Sequence, residues 1–284
     1  MNQTCLVTGA SSGIGKVTAR ELARAGNTVL LVCRNRSKGE ATVDEIRRDT
    51  GSDKLELLIA DLAELRQIRE LAAQVKAGHA QLHVLINNAG VYQSARTLTA
   101  DGYETTFAVN HLAYFLLTIE LLDLLKAAAP ARIINVASDA HKSGHINFDD
   151  LHGSGRYNGL RAYAQSKLAN ILFTYELARR LQGTGVTVNA MHPGGVSTGI
   201  YDNVSGIGGK IIRLFTFLMR TPEKGAETVI WLASSPEVAG VTGKYFYDLK
   251  EKPSSRESTD LNVAARLWQI SEQLTGLSRT AAAN

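Results

Sequence analysis

The sequence predicts a single α/β domain in which a parallel sheet is covered by helices on both faces. Three observations predict it. Short runs rich in β-branched residues and leucine alternate with segments of helical periodicity, the pattern of βαβ units. The runs are apolar almost throughout instead of alternating with polar residues, as strands buried on both faces must be. No low-complexity linker, long charge run or solenoid-length repeat divides the 284 residues, so one domain is the economical reading of a length that also fits two small ones.

Seven runs read as strands: TCLVTG from Thr4, TVLLVCR from Thr28, KLELLIAD from Lys54, LHVLINNAG from Leu82, ARIINVAS from Ala131, VTVNAMHPG from Val186 and KYFYD from Lys244. After the first, IGKVTARELARAG carries apolar residues at helical spacing, with Gly26 as a stop. HLAYFLLTIELLDLL, residues 111–125, reads as one buried helix. Glu120 and Asp123 interrupt it well short of the roughly 20 apolar residues that a membrane span needs. TPEKGAETVIWLASSP has Pro222 at its start and Pro236 beyond its end, as a helix prefers. The break in composition is at YDNVSGIGGKIIRLFTFLMR, residues 201–220, where a glycine-rich piece leads into an apolar one. A substrate lid over 196–222, a membrane-surface helix or a packed helix all fit Lys210 to Arg220; Gly206, Gly208 and Gly209 as a hinge favour the lid, over an apolar substrate. A C-terminal helical tail is expected over 256–284.

Composition excludes several classes. A hydrophobic content of 44% with 20% charged residues is that of a globular chain, not a disordered or fibrous one. The net charge of +4 comes from scattered basic residues with no dense run, so no nucleic-acid partner is expected. No secretory signal is read at the N-terminus, and the expected compartment is the cytoplasm. Cys5 and Cys33 fall in apolar strand runs, where buried free thiols are the plain reading. His141, His145, His152, Asp149 and Asp150 cluster, but their spacing matches no firm ligand pattern, and no metal is expected.

TGASSGIG, Thr8 to Gly15, lies between the first strand and the first helix. Small residues there let backbone amides and a helix N-terminus approach a pyrophosphate, so Gly9, Ser11, Ser12, Gly13, Ile14 and Gly15 are candidate cofactor contacts. The end of the second strand then selects the dinucleotide. An acid there would hold the ribose hydroxyls of NAD; this chain has Cys33 followed by Arg34, Arg36 and Lys38. Cations at a helix start oppose the helix dipole, and an arginine fork suits a 2′-phosphate, so Arg34 and Arg36 predict NADP(H) over NAD(H).

YAQSK places Tyr163 and Lys167 four residues apart, on one face if the segment is helical. A cation about 4 Å from a phenolate favours it by about 4 kcal/mol at an effective dielectric near 20, or roughly three pKa units before desolvation subtracts. A phenol near 10 would approach 7, where a general acid/base is most effective. Ser138 ends the fifth strand run, NNAG closes the fourth, and Asn110 sits in an apolar helical stretch where an amide needs a partner. Strand ends at the carboxyl edge of an open α/β sheet are where ligands bind.

Taken in order, TGASSGIG, Asp61, NNAG, Asn110, Ser138, YAQSK and PGGVST resemble the classical short-chain dehydrogenase/reductase family over about residues 4–250. The resemblance implies a seven-stranded, doubly wound Rossmann-type sheet and hydride transfer between nicotinamide and a carbonyl or alcohol carbon. It assigns proton donation to Tyr163, a hydrogen bond on the same oxygen to Ser138, the nicotinamide ribose and the lowered tyrosine pKa to Lys167, and a relay water to Asn110. It implies cofactor contacts at Asp61 and Leu62, at Asn88, Ala89 and Gly90, at Tyr163 and Lys167, and at Pro193, Gly194, Val196 and Thr198. INFDDLHGSGRYNGLRAYAQSKLANILFTYELARRL is similar to the branch of retinol dehydrogenases and protochlorophyllide reductases, which favours NADP(H). Together these lead to an NADP(H)-dependent reductase or dehydrogenase acting on a small apolar aldehyde, ketone or retinoid-like compound, as a homo-oligomer of two or four chains. The rival reading is an NADP(H)-binding sensor or scaffold without turnover; such a protein has no need of the complete Ser, Tyr, Lys and Asn set.

Overall fold

A computed structural model describes residues 2–195 and 220–277. Its sheet runs in the order β3-β2-β1-β4-β5-β6-β7-β8. The strands are β1 (Thr4–Thr8), β2 (Thr28–Cys33), β3 (Leu55–Ile59), β4 (Val84–Asn87), β5 (Ala131–Val136), β6 (Val186–Met191), β7 (Lys244–Tyr247) and β8 (Lys250–Glu251). The first seven pair in parallel and are the seven read from the sequence; β8 adds an eighth, two residues long and antiparallel to β7. Chain order reverses between β1 and β4, so the carboxyl edge there is the switch point where such sheets bind ligands.

The strands bury both faces because successive side chains point opposite ways. On β1, Cys5 and Val7 join one core with α1 (Gly13–Arg24), α2 (Arg36–Thr50) and α8 (Pro222–Ser234). Leu6 joins the other, with α3 (Leu65–Gly78), α5 (Ala113–Glu120), α6 (Leu122–Ala127) and α7 (Gly159–Arg180). A last helix, α9 (Leu261–Leu274), packs Ala264 and Leu267 against Leu168 and Leu172 of α7. It lies within residues 256–284, which the sequence reads as a tail. No helix among the described residues is long and apolar enough to cross a membrane. Cys5 and Cys33 are buried free thiols.

The run expected as one helix over 111–125 is divided. A short α4 (Thr105–Phe107) passes into a π turn, Ala108–Leu112, before α5, and the chain breaks again at Leu121 before α6. A π turn accommodates one extra residue, a departure that hydrophobic periodicity does not register. Asn110 lies at its centre.

Candidate active site

The glycine turn is built for close approach. Gly9 and Gly13 take φ of +66° and +53°, the left-handed region that favours glycine. A Cβ on Gly15 would lie 2.3 Å from the Gly9 carbonyl oxygen and 2.5 Å from Asn88 Nδ2, so helix α1 can seat against the strand ends only without a side chain there. The helix begins at an exposed Ser12 whose side chain makes no capping bond, and its first turn holds no acid. Its amino end therefore keeps its positive dipole for an anion. Ser11 and Ile14 flank that opening. Thr8, absent from the expected contacts, locks the turn: its hydroxyl accepts from Asn88 N at 2.9 Å and Ala89 N at 3.0 Å, while Asn88 Nδ2 donates to Thr8 O at 2.8 Å. Asp61 Oδ1 accepts from Ala63 N beyond β3, with Leu62 buried beside it. These residues fit the pyrophosphate and adenine side of a dinucleotide.

At the end of β2, burial holds the Cys33 thiol up at about 11, so no negative charge stands where an acid would select NAD. Arg34 is exposed and forms no ion pair among the described residues, and Arg36 approaches Glu40 only at 3.9 Å. Arg34 stands before the cap of α2 and Arg36 opens the helix, while Asn35 caps it by accepting from Lys38 N.

The other half of the site gathers on α7. Tyr163 and Lys167 share a face of that helix, with Lys167 Nζ 5.7 Å from the Tyr163 ring centroid. Lys167 is buried and donates to Val136 O, at the end of β5, at 3.0 Å. Ser138 follows two residues later and caps a short turn, its Oγ accepting from Ala140 N at 3.2 Å, which leaves the hydroxyl proton to donate. Gly144 closes this segment onto α7: a Cβ there would lie 2.6 Å from Ala164 O, next to Tyr163. Asn110 staples the opposite wall. Its Oδ1 accepts from Val91 N at 2.8 Å, and its Nδ2 donates to Val91 O and to Ser166 Oγ, both at 3.0 Å. With both amide protons committed, the side chain holds the NNAG loop to α7. At Gly90 the elements meet, since a Cβ there would lie 3.4 Å from Asn110 Oδ1 and 3.5 Å from Lys167 Nζ.

Burial pulls Lys167 down from 10.5 to about 7. Desolvation thus offsets much of the help that a full ammonium would give a nearby phenol. The Tyr92 ring stands edge-on to Tyr163, with centroids 6.1 Å apart, and forms an aromatic wall beside the phenol.

Two supports escaped the sequence reading. Glu104 is 1% exposed; its carboxylate caps α4 by accepting from Thr106 N at 2.8 Å and Phe107 N at 2.7 Å, and also accepts from Tyr157 Oη at 3.0 Å. Glu104→Ala should lower Tm by roughly 3–6 °C in a melting experiment, as hydrogen bonds to a charged group contribute about 1.5–3 kcal/mol. Behind the site runs a buried polar girdle. Asn87 turns inward and donates to Thr118 Oγ1 and Asn135 Oδ1, and Asn135 donates to Thr174 Oγ1, each at 2.9 Å. The loop histidines diverge: His141 bonds Ser138 O and accepts from Ser255 N, His145 meets Glu257, and His152 accepts from Glu104 N. Pro193 and Gly194 follow β6 at the same sheet edge, while Val196, Thr198 and the expected lid up to residue 219 lie outside the described residues.

A family model described as short chain dehydrogenase matches residues 3–206. The chain is 49% identical over 282 residues to human retinol dehydrogenase 13, covering 97% of this chain and 85% of the relative. It is 46% identical over 272 residues to mouse retinol dehydrogenase 12, covering 96% and 86%. Among solved structures, it resembles an uncharacterized protein from Mycobacterium paratuberculosis, with a TM-score of 0.78 and 36% identity over 96% of this chain and 93% of the other. It also resembles actinorhodin polyketide ketoreductase with NADPH, with a TM-score of 0.69 and 27% identity over 86% and 95%. With the glycine turn, the Tyr163–Lys167 pair and these matches in agreement, the chain belongs to the short chain dehydrogenase family, on its retinol dehydrogenase-like branch, and is an oxidoreductase acting on CH–OH groups.

Proposed function

We propose that the protein moves a hydride between NADP(H) and the carbonyl or alcohol carbon of an apolar substrate, an aldehyde, a ketone or a retinoid-like compound, with Tyr163 as general acid/base. The observation that carries this reading is the meeting of Gly90, Asn110, Lys167 and Tyr163 at the carboxyl edge of the sheet. Bound nicotinamide supplies or accepts the hydride. In reduction, Tyr163 gives its proton to the substrate oxygen while the Ser138 hydroxyl donates a hydrogen bond to it; oxidation reverses the transfer. Lys167, anchored on Val136 O, balances with its ammonium the negative charge that forms as the phenol gives up its proton. Asn110 keeps the NNAG loop and α7 at fixed separation. The Tyr92 wall and the alcohols named for the retinol dehydrogenase relatives support an apolar substrate.

Preference for NADP(H) rests on Arg34, which forms no ion pair among the described residues, beside a neutral Cys33, and on structural relatives solved with NADP or NADPH. The test is consumption of NADPH and NADH against a panel of apolar aldehydes, ketones and quinones. NADPH should be preferred, and Arg34→Asp should cut its kcat/KM by about 10- to 100-fold while sparing NADH, as one charge-assisted bond of roughly 1.5–3 kcal/mol implies. Equal use of both cofactors, unchanged by the substitution, would remove the assignment. Tight NADPH binding with no turnover across the panel would favour a sensor.

A further inference from the structure

At the mouth of β6 and β7 lies a stack with no part in the chemistry above. Tyr245 and His192 stack at 5.9 Å and 15°, and His192 and Tyr247 at 4.1 Å and 11°. The Arg220 guanidinium covers the outer face, 4.8 Å from the Tyr247 centroid. Arg220 also grips both oxygens of Asp248, with Nη2 donating to Oδ2 at 2.8 Å.

This stack holds one short segment from two sides. Arg220 N donates to Gly195 O at 2.8 Å, and Gly194 N donates to His192 Nδ1 at 3.1 Å. Gly194 takes a φ of +82°, and a Cβ on it would lie 2.9 Å from Arg220 Cδ and Nε. The arginine stem therefore lies directly on the backbone that follows Pro193.

The turn presenting Asp248 is costly. Asp248 and Leu249, with φ of +50° and +59°, are the non-glycine residues at positive φ among those described. Both occupy the turn from β7 to β8, and Leu249 N donates to Thr228 Oγ1 at 3.2 Å, which ties the turn to α8. A two-residue hairpin turn requires positive φ at both positions; an aspartate takes it readily, whereas a bulky leucine there is strained. The ion pair itself is partly exposed, with side-chain exposures of 27% and 41%, so its contribution to stability is small. The strain sits at Leu249, next to the residue that holds Arg220, and is consistent with a turn kept to position that arginine.

We propose that Arg220 and Asp248 are positioning residues that set the backbone of Pro193–Gly195 for the nicotinamide half of the cofactor. The inference rests on the NADP(H) reading. Because Arg34 and the glycine turn lie across the switch point, the adenosine half should not sense the clamp.

The test compares dissociation constants for NADPH and for adenosine 2′,5′-bisphosphate, which fills only the adenosine half, in wild type, Asp248→Asn, Arg220→Met and Arg220→Lys. NADPH binding should weaken by about tenfold, a change of 1.4 kcal/mol, in the first two variants, with Arg220→Lys recovering part of it. Affinity for the bisphosphate should not move, and it doubles as the control for folding. Unchanged NADPH affinity in both variants, or parallel weakening of both ligands, overturns the inference and leaves the clamp a structural pair. A wild type that binds neither ligand overturns the NADP(H) reading itself, and the inference falls with it.

Discussion

Tyr163→Phe is expected to lower kcat by about 10²- to 10⁴-fold, the range of a positioned general acid/base. The substitution removes one oxygen and keeps the ring that meets Tyr92 edge-on and lies over Lys167. NADPH affinity should therefore stay near the wild-type value, so the loss belongs to the chemical step. Single-turnover oxidation of bound NADPH reads that step directly. A rate undiminished in the variant would mean that the proton comes from elsewhere and that Tyr163 is not the general acid.

Lys167→Met should produce a loss of activity at least as deep, together with an opposite effect on stability. Burial holds the folded-state pKa at about 7, against the ordinary 10.5. Between these values the unfolded chain binds more protons than the folded one, so stability rises with pH across that window. Below pH 7 the whole penalty of burying the charge is present; above 10.5 it is gone. In the cofactor-free protein, the wild-type Tm relative to that of Lys167→Met should therefore climb by several degrees between pH 7 and 10, as each kcal/mol is worth about 2 °C in a chain of this length. Melting both proteins over that range, with changes common to both cancelling in the difference, is the measurement. A flat difference would show that the ammonium is not strained by its burial.

Seven parallel strands, the covering of both faces and the shared helix face of Tyr163 and Lys167 were legible in the sequence because each leaves a regular trace. Strands buried on both faces are apolar throughout, and Tyr163 and Lys167 fall at helical spacing. What escaped lacks such a trace. The π turn around Asn110 is a departure of one residue inside an apolar run, and β8 is too short for any period. Glu104 reads as one more surface acid until Tyr157, far along the chain, closes over it. Arg220 and Asp248 look like unrelated charges either side of α8 and meet only through the turn after β7. Asn87, read with its neighbours as part of the sheet edge, instead points its side chain into the core.

That inward turn fixes the register of the layer that carries Tyr163 and Lys167. Thr118 on α5, Asn87 on β4, Asn135 on β5 and Thr174 on α7 form one line of partners across four elements. If α7 slid by one residue, Thr174 would leave Asn135, and each stranded group would cost about 1–3 kcal/mol in the dry core. Apolar neighbours tolerate such a slide, since one leucine replaces another; a row of amides and hydroxyls does not. The girdle works as a key in a keyway, locking the height of Tyr163 and Lys167 above the sheet however the surface loops vary. Loops at the sheet edge can thus lengthen, shorten or change sequence without disturbing how Tyr163 and Lys167 sit above the sheet.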